Sequence, residues 1–195
     1  MPSEIDRNSA IAPDRRTRKR EARRDHLLDL AADLVQQHGV AGLTMAALAE
    51  AADYATASLY TYFPSRSALL AALQQRALEK LAAVAEEHVA DWDTALDAVS
   101  PAPGARVAAL ARLLAFSDLF LAAPRRYPKE FLLQQELLVN TDVEETADAA
   151  TVVPSAMAVL DVPRRLLAQA AEVGALREGE PARDPLGEPV DVALL

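Results

Sequence analysis

Leu27, Leu30, Ala31, Leu34 and Val35 fall on one face at spacings of three and four, with Asp29, Asp33, Gln36 and Gln37 largely outside it. That period marks an amphipathic helix. It is expected to begin near Arg16 and to end where Gly39 follows His38 as a C′ stop. Thr44 is placed to cap a second helix from Met45 to about Ala52, with Leu43 and Leu48 at the N′ and N4 positions of a hydrophobic staple. A turn at Asp53-Tyr54-Ala55 leads to a short third helix from Thr56 to about Tyr62. Pro64 cannot continue that helix and biases Phe63 away from the α region. Ser65 then caps a long fourth helix whose apolar positions run through Leu69, Leu70, Leu73, Ala77, Leu78, Leu81 and Val84.

Further helical segments follow, separated by Pro and Gly. Ser100 to Gly104 reads as a loop, and Val107 to Ala123 as a strongly apolar helix. Pro124 and Pro128 are expected to bracket a basic turn holding Arg125 and Arg126. Lys129 to Val139 reads as the next helix, and Asn140 to Asp148 as an acidic connection. The following helix is expected to break near Pro154 and Pro163 and to end about Gly174. Residues 1 to about 14 lack periodicity and are expected to be disordered, and Arg177 to Pro189 reads as a loop. Val190 to Leu195 looks like the opening of a helix. The fold class is therefore all-α, with Leu and Ala abundant, β-branched residues sparse and glycine low.

Charge sharpens this picture. The net charge is −9, but the chain up to Arg76 holds ten Lys/Arg against nine Asp/Glu, while the remainder holds ten against twenty. Arg15, Arg16, Arg18, Lys19, Arg20, Arg23 and Arg24 form a dense basic run immediately ahead of the first apolar helix face. Overall acidity is thus compatible with a local footprint for nucleic acid. There is no cysteine, so disulfides, thiolate chemistry and Cys-ligated metal are excluded. An uninterrupted apolar run long enough to span a bilayer is not found, and the polar, arginine-rich start is unlike a secretory signal. A cytoplasmic protein without a membrane partner is expected.

Three short helices closed by a proline, with cations ahead of them, have the spacing of a helix-turn-helix. Ala49 is small where two helices must approach. Asp53, four residues later, sits where the turn needs positive φ, and Leu59, six further on, pins the next helix. The stretch Leu59-Tyr60-Thr61-Tyr62-Phe63-Pro64-Ser65-Arg66-Ser67-Ala68-Leu69-Leu70 closely resembles the end of the DNA-binding domain of TetR-family repressors. In that family the pattern is Leu-Tyr-x-His/Tyr-Phe-x-Ser/Asn-Lys/Arg-x-x-Leu. Gly39 to Thr44 is similar to the family's Gly-x-x-Leu-Thr, and the resemblance covers about Arg24 to Leu73.

The resemblance implies residues 1–15 as a disordered basic-arm region, 16–64 as a helix-turn-helix DNA-binding domain, and 65–195 as a larger helical domain for effector binding and dimerisation. Two paired heads would then span a palindromic operator in double-stranded DNA. Thr44, at a helix N-terminus, is expected to touch phosphate. Thr56, Ala57 and Ser58 open the helix that enters the major groove, Tyr60 and Tyr62 flank it, and Arg66 grips the backbone. Phe63 turns into the core. Asp53 stands where the family usually has Gly, and the reading helix carries no Arg or Lys. Bidentate guanine readout from it is therefore absent, which leaves specificity to Thr, Ser and Tyr contacts, thymine methyls and DNA shape. The basic arm is expected to add affinity by entering the minor groove.

In the larger domain Trp92, Leu113, Phe116, Phe120, Tyr127, Phe131, Leu137 and Met157 are candidates to line an apolar pocket for a small-molecule effector. Val159 to Leu176 is the candidate homodimer surface. No cofactor or metal is expected: His26, His38 and His88 are scattered, and no Glu-x-x-His or His-Glu-x-x-His pattern exists. Catalytic residues, a Gly-rich phosphate loop and a nucleophile elbow are likewise lacking, so an enzyme is not expected. Two alternatives stay open, a helical interaction or ligand-binding protein that has lost DNA binding and a helical-bundle enzyme.

Overall fold

The computed structural model describes residues 14–139 and 146–176, and these form seven helices with no strand among them. They are α1 (Arg15–Gly42), α2 (Met45–Ala52), α3 (Thr56–Leu59), α4 (Arg66–Asp97), α5 (Ala105–Arg126), α6 (Pro128–Val139) and α7 (Thr146–Glu172). The expectations for residues 1–13, for Asn140–Glu145 of the expected acidic connection and for everything after Leu176 lie outside the described residues, while Thr146–Asp148, expected in that connection, instead open α7.

The chain divides into two compact units, each best described alone. Among the described residues, one takes in 14–82 with 123–159, the other 83–122 with 160–176. The first unit holds the main core. Leu27, Leu28, Ala31 and Val35 from α1, Leu48 and Ala49 from α2, Leu59 and Phe63 around α3, and Leu69, Leu70 and Leu73 from α4 are all buried together. Leu133 of α6 joins the same cluster. A single helix from beyond the first four elements thus completes the core beneath them.

Helix boundaries follow the expected chemistry at most points. Gly39 has φ 68° and ψ 176°, a conformation open essentially to glycine alone, and it breaks α1 before a last short turn to Gly42. The Thr44 Oγ1 accepts from the Ala47 N–H at 3.0 Å, and Leu43 and Leu48 are both fully buried, so the cap and staple form together. Ser65 caps α4 in the same way, its Oγ accepting from Ala68 N–H at 2.9 Å.

Prolines behave differently from expectation. Pro124 lies inside α5, which continues to Arg126, so only Tyr127 separates α5 from α6. α7 runs unbroken through Pro154 and Pro163. An interior proline disfavours a helix by about 3 kcal/mol, and packing outweighs it here: Val152, Val162, Leu166 and Ala170 along α7 are all buried. α5 leaves the bilayer reading standing, since no unbroken apolar run along it is long enough to span a bilayer. It is long and apolar enough, by length and composition, to cross a membrane. Arg112 and Asp118 interrupt that apolar stretch. In the second unit Arg165 pairs with both carboxylate oxygens of Glu86 at 2.6 and 2.7 Å, and Arg112 with Asp93 at 2.6 Å.

Candidate nucleic-acid interface

The turn between α2 and α3 is built by a residue that is not glycine. Asp53 has φ 55° and ψ 46°, the left-handed conformation. Tyr54 N–H donates to Ala49 O at 2.9 Å, and Asp53 N–H donates to Glu50 O at 3.2 Å. This is the Schellman closure of α2, with Asp53 at C′. Asp tolerates that backbone region better than most residues, though at a cost glycine avoids. Ala49 is buried where the helices meet.

α3 is shorter than the sequence predicts. Its helical hydrogen bonding spans Thr56–Leu59, and a looser turn follows. Both Tyr62 N–H and Phe63 N–H donate to Leu59 O, each at 2.9 Å, and the Thr61 hydroxyl donates to Ser58 O at 2.7 Å. Crowding of donors onto one carbonyl is the mark of a helix tightening as it ends. Leu59 is fully buried, whereas Ala55, Thr56, Ala57, Ser58, Tyr60 and Thr61 are exposed. A polar, solvent-facing surface is thereby fixed on a buried leucine.

The expected contact residues fall into three groups. Thr44, Thr56, Ala57 and Ser58 are exposed, and Tyr60 keeps half of its surface free at 50 %. Tyr62 is half-buried and packs against the core. Arg66 is committed within the protein: its Nε donates to Leu43 O and its Nη2 to Val40 O, both at 2.7 Å. Phe63 is buried as predicted, 1 % exposed.

Sequence reasoning missed what the basic run does. Arg15 to Arg24 is helical, the first turns of α1. A helical start near Arg16 is as expected, and the basic arm expected ahead of it lies outside the described residues. Arg20 Nη2 donates to Thr61 O at 2.9 Å, and the Arg24 guanidinium stands 5.4 Å from the centre of the Phe63 ring. The signal was present, because Arg20 and Arg24 continue at i and i+4 the face that carries Leu27, Leu28 and Ala31.

Among the effector-pocket candidates, Trp92, Leu113 and Phe116 are half-buried and Phe120 is 60 % exposed, all in the second unit. Tyr127 and Phe131 are half-buried and Met157 is 57 % exposed, in the first unit. The side chain of Leu137 lies outside the described residues. A cleft of about 390 Å³ in the first unit has none of these on its walls; it is lined by Asp29, Asp33, Arg76, Lys80, Lys129 and Glu130 over Leu73, Ala77 and Leu133. Its charges are paired across it, Arg76 with Asp29 at 2.8 Å, Lys129 with Asp33 at 2.6 Å, and Lys80 with Glu130. The hydrogen bond to Asp33 holds the Lys129 ammonium above its ordinary range. Burial pushes Glu130 up, but hydrogen bonding to Lys80 and to backbone outweighs it and leaves the carboxyl below its ordinary range. Among the described residues, no group of three His, Asp or Glu side chains is placed to hold a metal ion.

Residues 27–73 match the model for bacterial regulatory proteins of the tetR family. A comparison with curated proteins finds no match. Among solved structures, the chain is similar to a TetR family transcriptional regulator from Vibrio parahaemolyticus, with 18 % identity over 80 % of this chain and 74 % of that one, at a TM-score of 0.48. It is similar to another from Shewanella sp. PV-4, with 21 % identity over 84 % and 74 % and a TM-score of 0.48. A third, from Marinobacter aquaeolei VT8, shows 16 % identity over 85 % and 91 % at 0.43. These whole-chain likenesses are distant, and the assignment rests on the matched segment with its cap, left-handed turn and buried leucine. Residues 27–73 are accordingly a helix-turn-helix domain of the kind that defines the bacterial tetR-family regulatory proteins.

Proposed function

We propose that the protein is a cytoplasmic transcriptional regulator, acting as a repressor, that binds double-stranded DNA by laying the segment from Thr56 to Tyr62 in the major groove. The observation that carries this reading is the open polar surface of Thr56, Ala57, Ser58 and Tyr60 on either side of the buried Leu59. Thr44 adds a phosphate contact, since its oxygen accepts from Ala47 N–H while its hydroxyl proton is free to donate. Tyr62 lends its ring to the core and its phenol to the groove edge. Arg66 acts first as a brace for the loop before α2, with Nη1 left for a phosphate.

The chain works as a homodimer on a palindromic operator, and a small apolar effector controls its affinity. Support for pairing through Val159 to Leu176 comes from Leu160, Leu167 and Leu176, which are 50, 45 and 38 % exposed. Support for the effector site is the half-buried set Trp92, Leu113 and Phe116. An effector shifts the operator equilibrium only by as much as its affinity differs between the two conformations. On this reading the protein is a non-enzyme without membrane partner.

The test is an electrophoretic or anisotropy titration with the DNA upstream of the protein's own gene. Wild type is expected to bind it more tightly than mixed-sequence DNA of the same length. Tyr60→Ala is expected to weaken that binding without lowering thermal stability, because half of the side chain is free. Equal affinity for both DNAs refutes sequence-directed regulation.

A further inference from the structure

Six of the seven cations that open α1 fall in two stripes, and Arg18 lies apart from both, on the side of Asp25. Arg16, Arg20 and Arg24 follow one another at i, i+4 and i+8 on the stripe that continues into Leu27 and Ala31, and Arg20 and Arg24 are the two that dock on Thr61 O and the Phe63 ring. Arg15, Lys19 and Arg23 repeat the same spacing about a third of a turn away, and all three are exposed. Glu21 and Asp25, themselves i and i+4, lie on the opposite side of the helix from that second stripe. The helix thus presents a row of three cations about 6 Å apart along its axis, none of them in an ion pair among the described residues, with Glu21 and Asp25 turned away. Docking by Arg20 and Arg24 fixes this row beside the end of the reading turn.

We propose that Arg15, Lys19 and Arg23 form a rigid strut lying along the sugar–phosphate backbone outside the stretch read by Thr56 to Tyr62. The proposal rests on the DNA-binding reading above and adds to it a sequence-blind contact on flanking DNA. A regular row of ammonium and guanidinium groups neutralises phosphates and releases counterions, and it does so whatever the bases are. Rigidity matters: a helix already docked on the reading turn loses little conformational freedom on binding, whereas a loose basic tail must be ordered first.

The experiment is a salt titration of the full chain on a fluorescein-labelled mixed-sequence duplex of about 40 base pairs, between about 50 and 200 mM salt, the range in which phosphate contacts dominate. The variant Arg15→Ala/Lys19→Ala/Arg23→Ala is expected to lower the slope of log K against log salt by about 2 to 3 per bound chain, since each neutralised phosphate contributes about 0.9. Replacing Glu21 and Asp25 by Ala, on the opposite side, is expected to cause no loss. Ala22→Pro keeps every cation while breaking the first turns of α1, and it is expected to weaken binding; full affinity would show that a flexible tail suffices and overturn the strut. A slope untouched by the triple variant also overturns it. If wild type binds no duplex, the DNA-binding reading falls and takes the strut with it, whereas wild-type binding with an unchanged variant slope removes the strut alone.

Discussion

Replacing Arg66 by Ala removes two charge-assisted hydrogen bonds at once. The guanidinium spans Leu43 O and Val40 O at 2.7 Å each and so ties the start of α4 to the loop that leads into α2. The two carbonyls do not suffer equally. Val40 O still accepts from Leu43 N–H at 3.1 Å, whereas Leu43 O has the arginine as its one hydrogen-bond partner among the described residues. A hydrogen bond to a charged group contributes about 1.5–3 kcal/mol. Arg66 is half-buried, which places each bond at the low end, and Val40 O keeps its second partner. The loss is therefore about 2–3 kcal/mol in all, equivalent to a Tm drop of about 5–10 °C for a chain of this size. Lys in its place offers a single point donor that cannot bridge both carbonyls, and it is expected to recover less than half. Urea unfolding followed by far-ultraviolet circular dichroism, at one fixed protein concentration, measures the loss. A pure phosphate contact would instead leave the unfolding midpoint within about 0.5 kcal/mol of wild type while lowering the salt slope for DNA by about 1. That outcome would refute the brace.

Asp53→Gly relieves the left-handed backbone and Asp53→Asn removes only the charge; both are expected to tighten DNA binding in anisotropy titrations. Only the glycine is expected to raise the unfolding midpoint as well, by about 0.5–1 kcal/mol. Leu133→Ala, in α6, is expected to cost about 2–4 kcal/mol and to lower DNA affinity at temperatures near the reduced Tm, because Leu133 sits in the core beneath α1; unchanged stability would contradict that packing. Glu130 is held below its ordinary range, so its contribution is present above the ordinary glutamate value and is lost as the pH falls through the depressed one. Unfolding measured from neutral to acid pH should therefore show wild type losing no more than about 1 kcal/mol relative to Glu130→Gln, all of it below the ordinary carboxylate range.

What could be read in advance is what local chemistry decides. Thr44 and Ser65 cap, Gly39 interrupts, Asp53 takes positive φ, and Leu59 and Phe63 turn inward because each is specified by residues within a turn of itself. The length of α3 was overestimated because hydrophobic period alone does not report where hydrogen bonds bifurcate. Proline misled at Pro154 and Pro163, where burial along the rest of α7 outweighs the missing donors, and at Pro124, which sits in the last turn of α5. Long-range partners were invisible for a plainer reason. Nothing in the sequence near Arg66 names Val40 or Leu43, nothing near Leu133 names α1, and the docking of Arg20 on Thr61 spans forty-one positions. The exposed surface around Leu59 was legible as a motif, while its supports were not.

A helix of four residues cannot persist by itself in water, since nucleation is unfavourable and there is almost no propagation to offset it. The order of α3 is on loan from Leu59 and Phe63, wedged into a core that α1, α2, α4 and α6 complete. Random mutagenesis scored for loss of operator binding should therefore return mostly apolar positions far from any base, such as Leu28, Leu48 or Leu133. Changes at solvent-facing Thr56 or Ser58 should shift preference among operators more often than abolish occupancy. On the DNA-binding reading proposed above, recognition is inherited through the interior.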